Sequence, residues 1–201
     1  TTGLLTVGTT DYFTVPGQLV LMMLFQIGGI GYMTFTTYVL LGSTHRTSNW
    51  RKKILSAAFA LPDSLKLKDF IKAAVVFTIM MEVIGAILYF IAFSSEGWGF
   101  WEILYQSVFH SISAFCTAGF SLFDNGFEDY VGDGFINFIT SMLAIAGSLG
   151  FIVFTDLWLT IKDKKHALSF TTKIIFFGFA ILLTFGTVSL YFGEPSIVAL
   201  D

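Results

Sequence analysis

The chain has 201 residues, of which 55% are hydrophobic and only 12% are charged, and its formal net charge is −3. Soluble domains carry about 25% charged residues, so this chain has roughly half of the charge with which such a domain covers its core. These values exclude a disordered chain, a nucleic-acid-binding protein and an ordinary cytosolic enzyme, and they predict an integral membrane protein.

Four stretches are long and apolar enough to cross a bilayer, which takes about 20 residues of helix. In chain order they are, approximately, Pro16–Leu41, Phe70–Phe93, Phe135–Thr160 and Lys173–Phe192. The small residues Gly28, Gly31, Gly147 and Gly150 within or beside these stretches predict close packing of helices or a slender wall beside a pathway.

Two carboxylates fall inside the predicted spans. Glu82 lies in the second span, where an ionisable group is costly and often functional. We favour the interpretation that it is a structural glutamate satisfied by neighbouring helices. Asp156 lies near the end of the third span, and we expect it to be an interfacial residue rather than part of a permeation site.

The basic residues are confined to two connections. Of the eleven, seven lie between residues 42 and 72 and four between 161 and 173. The other connections carry only acidic charges. Since positive loops stay in the cytoplasm, loops 42–69 and 161–173 are predicted to be cytoplasmic and both chain ends extracellular, in a multi-pass protein of the plasma membrane.

A fifth apolar stretch, Trp98–Phe123, cannot cross the membrane if the two basic loops share one side. It also contains polar residues, among them Glu102, Gln106 and His110. We therefore predict a re-entrant segment: a short helix at about Phe100–Phe115, then an irregular return through residues 116–120. Irregular backbone at membrane depth is tolerated only inside protein or along a water-filled cavity. The alternative is an amphipathic segment lying in the headgroups.

Parts of the sequence repeat. Ile27–Phe35 aligns without a gap to Ala146–Phe154, and Thr1–Leu4 resembles Thr117–Phe120. The repeated unit is a span, a re-entrant helix, a Gly-containing return and a second span. The fold class is therefore an all-α membrane protein built of such units, with four spans and one re-entrant helix in this chain.

This repeat divides the chain into four segments. Residues 1–41 hold a filter loop and the second span of the first unit, and 42–69 form the basic loop. Residues 70–160 form a complete second unit, and 161–201 hold a loop and the first span of a third. We expect the flanking sequence to hold one apolar helix upstream and two more pore loops downstream.

The glycines of the two loops suit a cation pathway. A monovalent cation that enters a bilayer must exchange its hydration shell for other oxygens, and backbone carbonyls supply them in cation filters. Gly3 and Gly119 each follow a Thr closely and can adopt the backbone angles that such a turn needs. The acidic outer connections would attract cations to the entrance.

Residues His110–Leu122, with the sequence HSISAFCTAGFSL, resemble the second pore loop of the Trk/Ktr/HKT superfamily of cation transporters. Thr2–Leu4, with Gly17–Leu19 and Gln26–Gly31, is similar to the first filter of that superfamily and the helix after it. The resemblance implies a fold of four units around one pore and transport of potassium, sometimes of sodium.

The resemblance also implies which residues line the pathway and which partners to expect. The implied filter residues are Thr1, Thr2, Gly3, Leu4, Cys116, Thr117, Ala118, Gly119 and Phe120. Glycine at both filter positions favours potassium as the permeating ion, with a sodium-transporting member as the alternative. A homodimer and a cytosolic nucleotide-binding regulatory subunit are expected partners, with no cofactor and no resident metal.

Two other functions remain as alternatives. His110 with Ser113 or Cys116 could be the base and nucleophile of a membrane enzyme, since His110 and Ser113 share one helix face. We prefer to interpret these side chains as packing and hydrogen-bonding groups of a pore helix and predict that the chain is not an enzyme. The second alternative is an assembly subunit that has no pathway of its own.

Overall fold

The computed structural model describes residues 9–30, 67–162 and 167–193, and the regular elements of these ranges are all helical. The elements are α1 (Thr9–Tyr12), α2 (Val15–Ile30), α3 (Leu67–Phe93), α4 (Phe100–Phe115), a 3-10 turn (Glu128–Tyr130), α5 (Gly134–Leu149), α6 (Phe151–Lys162) and α7 (Phe170–Gly193). The prediction of an all-α protein is thereby confirmed.

Two of the described helices are long and apolar enough to cross a membrane. They are Lys72–Phe93 within α3 and Phe170–Gly193, which is all of α7. These agree with the predicted second and fourth spans. The first predicted span, Pro16–Leu41, is helical from Val15 to Ile30, and its remainder lies outside the described residues.

The third predicted span is not one helix. Residues 135–160 were predicted as a continuous span, whereas α5 ends at Leu149 and α6 begins at Phe151. Gly150 between them has a φ of +79°, a left-handed angle that glycine adopts without steric cost. The apolar sequence continues across this break, so hydropathy alone could not reveal it.

The chain divides into two compact bodies, residues 1–148 and 149–201. In the second body α6 packs against α7. Asp156 of α6 accepts a hydrogen bond from the amide of Ser169 at 2.8 Å, directly before α7 begins. Only 4% of Asp156 is exposed, so it is a buried residue that joins α6 to the start of α7, and its place at the membrane interface stays a prediction.

The first body is built around α4. This helix contacts α2 and α3, and α3 turns one face toward it. The buried positions of that face recur at intervals of three or four residues: Ala74, Thr78, Glu82, Gly85, Tyr89 and Phe93. On the other side Met22 and Phe25 of α2 join Phe109, Ala118 and Leu122 in one hydrophobic cluster. The sixteen-residue helix α4 thus packs between α2 and α3.

The connection after α4 is held by polar contacts at its far end. The Asp133 carboxylate accepts hydrogen bonds from the amides of Phe135 (2.8 Å) and Ile136 (3.0 Å), which caps the N-terminus of α5. Burial, together with the carboxylates of Glu96, Asp129 and Asp133, raises the pKa of Tyr130 to about 12. The phenol therefore stays protonated and is hydrogen-bonded to Glu96.

Candidate functional site

The C-terminus of α4 closes with a tight turn that reverses the chain. The amide of Thr117 donates to the carbonyl of Ala114 at 3.1 Å, and the amide of Ala118 donates to the carbonyl of Ser113 at 2.8 Å. This pair of bonds defines a Schellman motif, in which the residue after the C-cap is left-handed. Here that residue is Thr117, with a φ of +49°.

The left-handed backbone at Thr117 is unusual because the position normally carries glycine. A β-branched side chain with positive φ is a conformational outlier and is retained only where its surroundings enforce it. Two residues later Gly119 has a φ of +74°. Thr117 and Gly119 are exposed, whereas Ala118 between them is completely buried. The turn therefore presents alternate residues to open space.

Several carbonyl groups of this turn are unpaired. Within the described part of the chain, the carbonyl oxygens of Thr117, Ala118 and Gly119 accept no hydrogen bond. They lie at the C-terminal end of α4, where the helix dipole adds a partial negative charge. Between residues 73 and 161 there is no Lys or Arg to oppose it. Such an end attracts a cation.

After Gly119 the chain runs back beside the last two turns of α4. The Ser113 hydroxyl donates to the carbonyl of Phe120 at 2.6 Å and accepts from its amide at 3.1 Å. One turn earlier, His110 Nε2 accepts hydrogen bonds from the Leu122 amide (3.2 Å) and the Ser121 hydroxyl (3.0 Å). The returning limb is thus fixed to the helix at two successive levels.

The hydrogen bonds of His110 define its tautomer. Because Nε2 is an acceptor for the Leu122 amide, Nδ1 must carry the proton, and it donates to the Gln106 carbonyl at 2.8 Å. The ring is 1% exposed and stacks on Phe123 with centroids 4.6 Å apart. This neutral, enclosed imidazole anchors the loop.

The other candidate nucleophiles also make packing and hydrogen-bonding contacts. Ser113 is engaged by Phe120, and the thiol of Cys116 is directed at Gln26 and Glu82 rather than at His110. Ser121, which the sequence did not single out, does meet His110. Its hydroxyl is buried, however, and also accepts the Phe123 amide at 3.0 Å. The hydroxyls of Ser113 and Ser121 and the ring of His110 are thus engaged in hydrogen bonds with the returning limb or with each other.

Cys116, the C-cap residue of α4, is held by two other helices. Its Sγ lies 3.7 Å from Oε1 of Gln26 on α2 and 3.9 Å from Oε1 of Glu82 on α3. The Gln26 amide donates to the Glu82 carboxylate in turn. Glu82 thus has partners on neighbouring elements, as expected for a structural glutamate. Gln26 was not predicted as a partner of Glu82 and Cys116, because nothing in the sequence of its own helix distinguishes it.

Glycines on three helices let the end of α4 approach closely. A Cβ atom on Gly147 would overlap the carbonyl oxygen of Phe115, one on Gly29 would overlap Cys116, and one on Gly85 would overlap Ser111. Of the glycines predicted for close packing, only Gly147 has this role. Gly28 has open space beside it, Gly150 breaks a helix, and Gly31 lies outside the described residues.

Two cavities adjoin the turn. One, of about 180 Å³, is lined by Phe25, Gly28, Gly29, Phe115, Cys116, Thr117 and Gly147. The other, of about 320 Å³, includes His110, Ser113, Thr117, Gly119, Phe120 and Thr140 in its wall. Thr117 belongs to both, so the left-handed residue stands between two open spaces.

Five of the nine predicted filter residues, Cys116 to Phe120, therefore form one turn that bears unpaired carbonyls. The other four, Thr1, Thr2, Gly3 and Leu4, lie outside the described residues, as does most of the first half of the sequence repeat.

The fold is that of a helical membrane protein in which a short, largely enclosed helix of sixteen residues ends in an irregular loop. The TrkH family, described as cation transport proteins, matches residues 1–199, and the chain belongs to this family. It is 35% identical over 191 residues to the Ktr system potassium uptake protein B of Vibrio alginolyticus. It is 33% identical over 196 residues to the protein of the same name from Bacillus subtilis.

A third relative is the potassium/sodium uptake protein NtpJ of Enterococcus hirae, with 31% identity over 189 residues. The three alignments cover 93%, 97% and 90% of this chain, but only 41%, 43% and 42% of the relatives. The chain thus spans about two fifths of the length of the curated relatives that it matches. The relatives are named for ion uptake and not for an enzymatic reaction.

Proposed function

We propose that this chain is part of a transporter that carries potassium across the plasma membrane through a pore with carbonyl-lined filters. The observation that carries the proposal is the turn 116–120, with its unpaired carbonyls of Thr117, Ala118 and Gly119. Carbonyl oxygens of this kind replace the water around a permeating cation. The ion is cargo, and no cofactor takes part.

The turn serves this purpose because it combines fixed and free groups. The amides of Thr117, Ala118, Phe120 and Leu122 and the hydroxyl of Ser121 are hydrogen-bonded to residues of α4, which fixes the loop to that helix. The carbonyls that remain face no competing donor in the described residues. A cation that binds there gains oxygen ligands without distorting the loop.

We infer that α4 and its return limb form a re-entrant segment. α4 has sixteen residues, which corresponds to about 24 Å of helix and is short for a crossing of about 30 Å. The hydrogen bonds from His110 and Ser113 to the returning limb support entry and exit on one side. Gly3, with Thr1, Thr2 and Leu4, is proposed to supply the corresponding first filter.

Sidedness follows from this inference and from the basic residues. Loops 42–69 and 161–173 are proposed to be cytoplasmic and both chain ends extracellular. Tags inserted at positions 50 and 165 of the full-length protein should both be protected from an external reagent. Opposite accessibility would turn α4 and its limb into an ordinary crossing and remove the pore.

Transport itself is tested in a bacterium that lacks its own potassium uptake. The full-length protein should restore rubidium and potassium entry, and Gly119→Ser should reduce that entry about tenfold or more because the loop backbone must shift. Gly126→Ser is the matched control, since Gly126 also has a positive φ (+66°) but lies in the outer connection with open space around it. Equal losses in both variants would contradict the filter assignment.

A sodium-transporting member of the family is the second candidate, because the Enterococcus relative is named for both ions. Competition of sodium with rubidium in the same cells separates the two. By resemblance to the superfamily, we further propose a homodimer and a cytosolic nucleotide-binding regulatory subunit. Copurification of the full-length protein tests both partners.

A further inference from the structure

The C-cap residue of the pore helix is the point at which three helices meet. Cys116 is followed directly by the left-handed Thr117, so its position sets where the filter loop departs from α4. Its Sγ has two polar neighbours, Gln26 at 3.7 Å and Glu82 at 3.9 Å, which come from α2 and α3. These two side chains are also hydrogen-bonded to each other.

Both helices hold this point by a second contact. Gln26 and Gly29 are three residues apart and share one face of α2, and Gly29 lies directly against Cys116. On α3, the backbone carbonyl of Glu82 accepts a hydrogen bond from Ser111 at 2.7 Å, while its side chain reaches Cys116. Glu82 therefore contacts α4 at two residues that are five positions apart. Its backbone carbonyl meets Ser111, and its carboxyl group meets Cys116.

We call the contacts of Glu82 and Gln26 with each other and with Cys116 the bridge. The bridge is not placed to bind a permeating ion directly. Glu82 is 7% exposed, and its carboxyl oxygens are occupied by Gln26 and Cys116. It lies behind the turn, whereas Thr117 and Gly119 are exposed. A left-handed Thr needs surroundings that enforce it, and the Schellman bonds alone fix the turn relative to α4 but not to its neighbours.

We propose that Glu82 and Gln26 are positioning residues for ion selection: acting through Cys116, they hold the second filter loop in register with the helix of the first pore unit. This inference rests on the proposed transport function. The carboxyl group never meets the ion, and it matters because carbonyl ligands select among ions only if their spacing is kept.

The test uses the full-length protein in the uptake-deficient bacterium, with transporter abundance measured by immunoblot. Glu82→Leu and Gln26→Leu remove the bridge, and the double variant removes both partners. Each single variant should raise the KM for rubidium and lower the preference for potassium over sodium, both by about fivefold. The double variant should be no worse than the more severe single variant, because the two residues act as one bridge. Glu82→Gln keeps the shape and the acceptor oxygen and should stay within about twofold of the natural protein.

Asp156→Leu is the matched control. Asp156 is also a buried helix carboxylate that accepts a hydrogen bond, here from the Ser169 amide, and it belongs to the other body. It should lower abundance at most and leave KM and ion preference unchanged. If Glu82→Leu likewise changes abundance only, or if the single effects multiply in the double variant, the positioning role is refuted.

A second readout does not depend on transport. With any other cysteines of the full-length protein replaced, the rate at which Cys116 reacts with a water-soluble thiol reagent reports its fixation. The rate should rise about fivefold or more in Glu82→Leu and Gln26→Leu, because the thiol loses its neighbours. An unchanged rate would refute the inference even where transport is poor. If the natural protein transports no ion at all, the proposed function fails, and ion selection by this bridge fails with it.

Discussion

The hydroxyl group of Ser113 satisfies both backbone polar groups of Phe120. It donates to the carbonyl oxygen at 2.6 Å and accepts from the amide nitrogen at 3.1 Å. The two residues are seven positions apart, one on the last turns of α4 and the other just after Gly119. The side chain of Ser113 therefore supplies the two hydrogen bonds that a neighbouring strand would otherwise give to Phe120.

Replacing Ser113 by Ala should leave the Phe120 amide and carbonyl without partners. Unsatisfied groups in a partly buried place cost about 1–3 kcal/mol, so we expect Ser113→Ala to lower the free energy of unfolding by that amount. Rubidium uptake per transporter should fall with it. Chemical unfolding of the purified full-length protein in detergent measures the first quantity.

Ser148→Ala provides the comparison for Ser113. Ser148 is exposed, and its hydroxyl bonds only to the Ala144 carbonyl of its own helix. This change should stay within about 0.5 kcal/mol of the natural protein. Similar losses in the two variants would show that the contact with Phe120 contributes nothing special.

Thr117→Gly should leave the protein as stable as before or stabilise it by up to about 1 kcal/mol. Left-handed backbone costs a residue with a Cβ atom about 1–2 kcal/mol, and the entropy of glycine in the unfolded chain offsets part of the relief. Thr155→Gly, in the middle of helix α6, should destabilise by about 0.5 kcal/mol or more. The thermal midpoint of the purified Thr117→Gly variant should therefore lie clearly above that of the Thr155→Gly variant. A larger loss of stability at Thr117 than at Thr155 would contradict the positive φ of Thr117.

Gly147→Ala should destabilise the first body because the added methyl group would overlap the Phe115 carbonyl oxygen. Overpacking of this kind costs about 1–3 kcal/mol, and rubidium uptake should fall as the end of α4 moves. Gly178→Ala has open space beside it on α7 and should be neutral or slightly stabilising. Thermal unfolding checks both, and tolerance of alanine at position 147 would mean that α5 does not approach α4 this closely.

Asp133→Ala should lower stability by about 0.5–2 kcal/mol because the first amides of α5 lose their acceptor. Asp129→Ala removes an equal charge from the same acidic connection without uncapping the helix, so it isolates the effect of the cap. The thermal midpoint is again the measurement. Matching shifts in the two variants would point to charge rather than capping.

The sequence predicted the limits of α4, Phe100–Phe115, and the irregular return after it. These followed from length and from the polar residues among apolar ones, both of which are local properties. Gly119 was likewise assigned a special backbone angle, because only glycine has it without cost. The two alternatives left open for this segment, re-entrant or lying in the headgroups, differ in what surrounds it.

Other features depend on residues that are far apart in the chain. Nothing in the local sequence marks Thr117 as left-handed, since threonine disfavours that angle and tertiary contacts enforce it. Gln26, Glu82 and Cys116 come together from three elements, which a single sequence cannot pair. The break at Gly150 was missed because glycine within an apolar run is also compatible with a continuous helix.

The order of these elements along the chain bears on biogenesis. Of the described helices that contact Phe115 and Cys116, α2 and α3 are synthesised before α4, and α5 comes after it. When α4 leaves the ribosome, its neighbours Gln26, Gly29 and Glu82 have already been made. Gly147 is made last, so the close approach of α5 to the Phe115 carbonyl is the final one of these contacts to form. A nascent chain truncated before residue 134 would carry α4 with its partners on α2 and α3 but without the contact to α5.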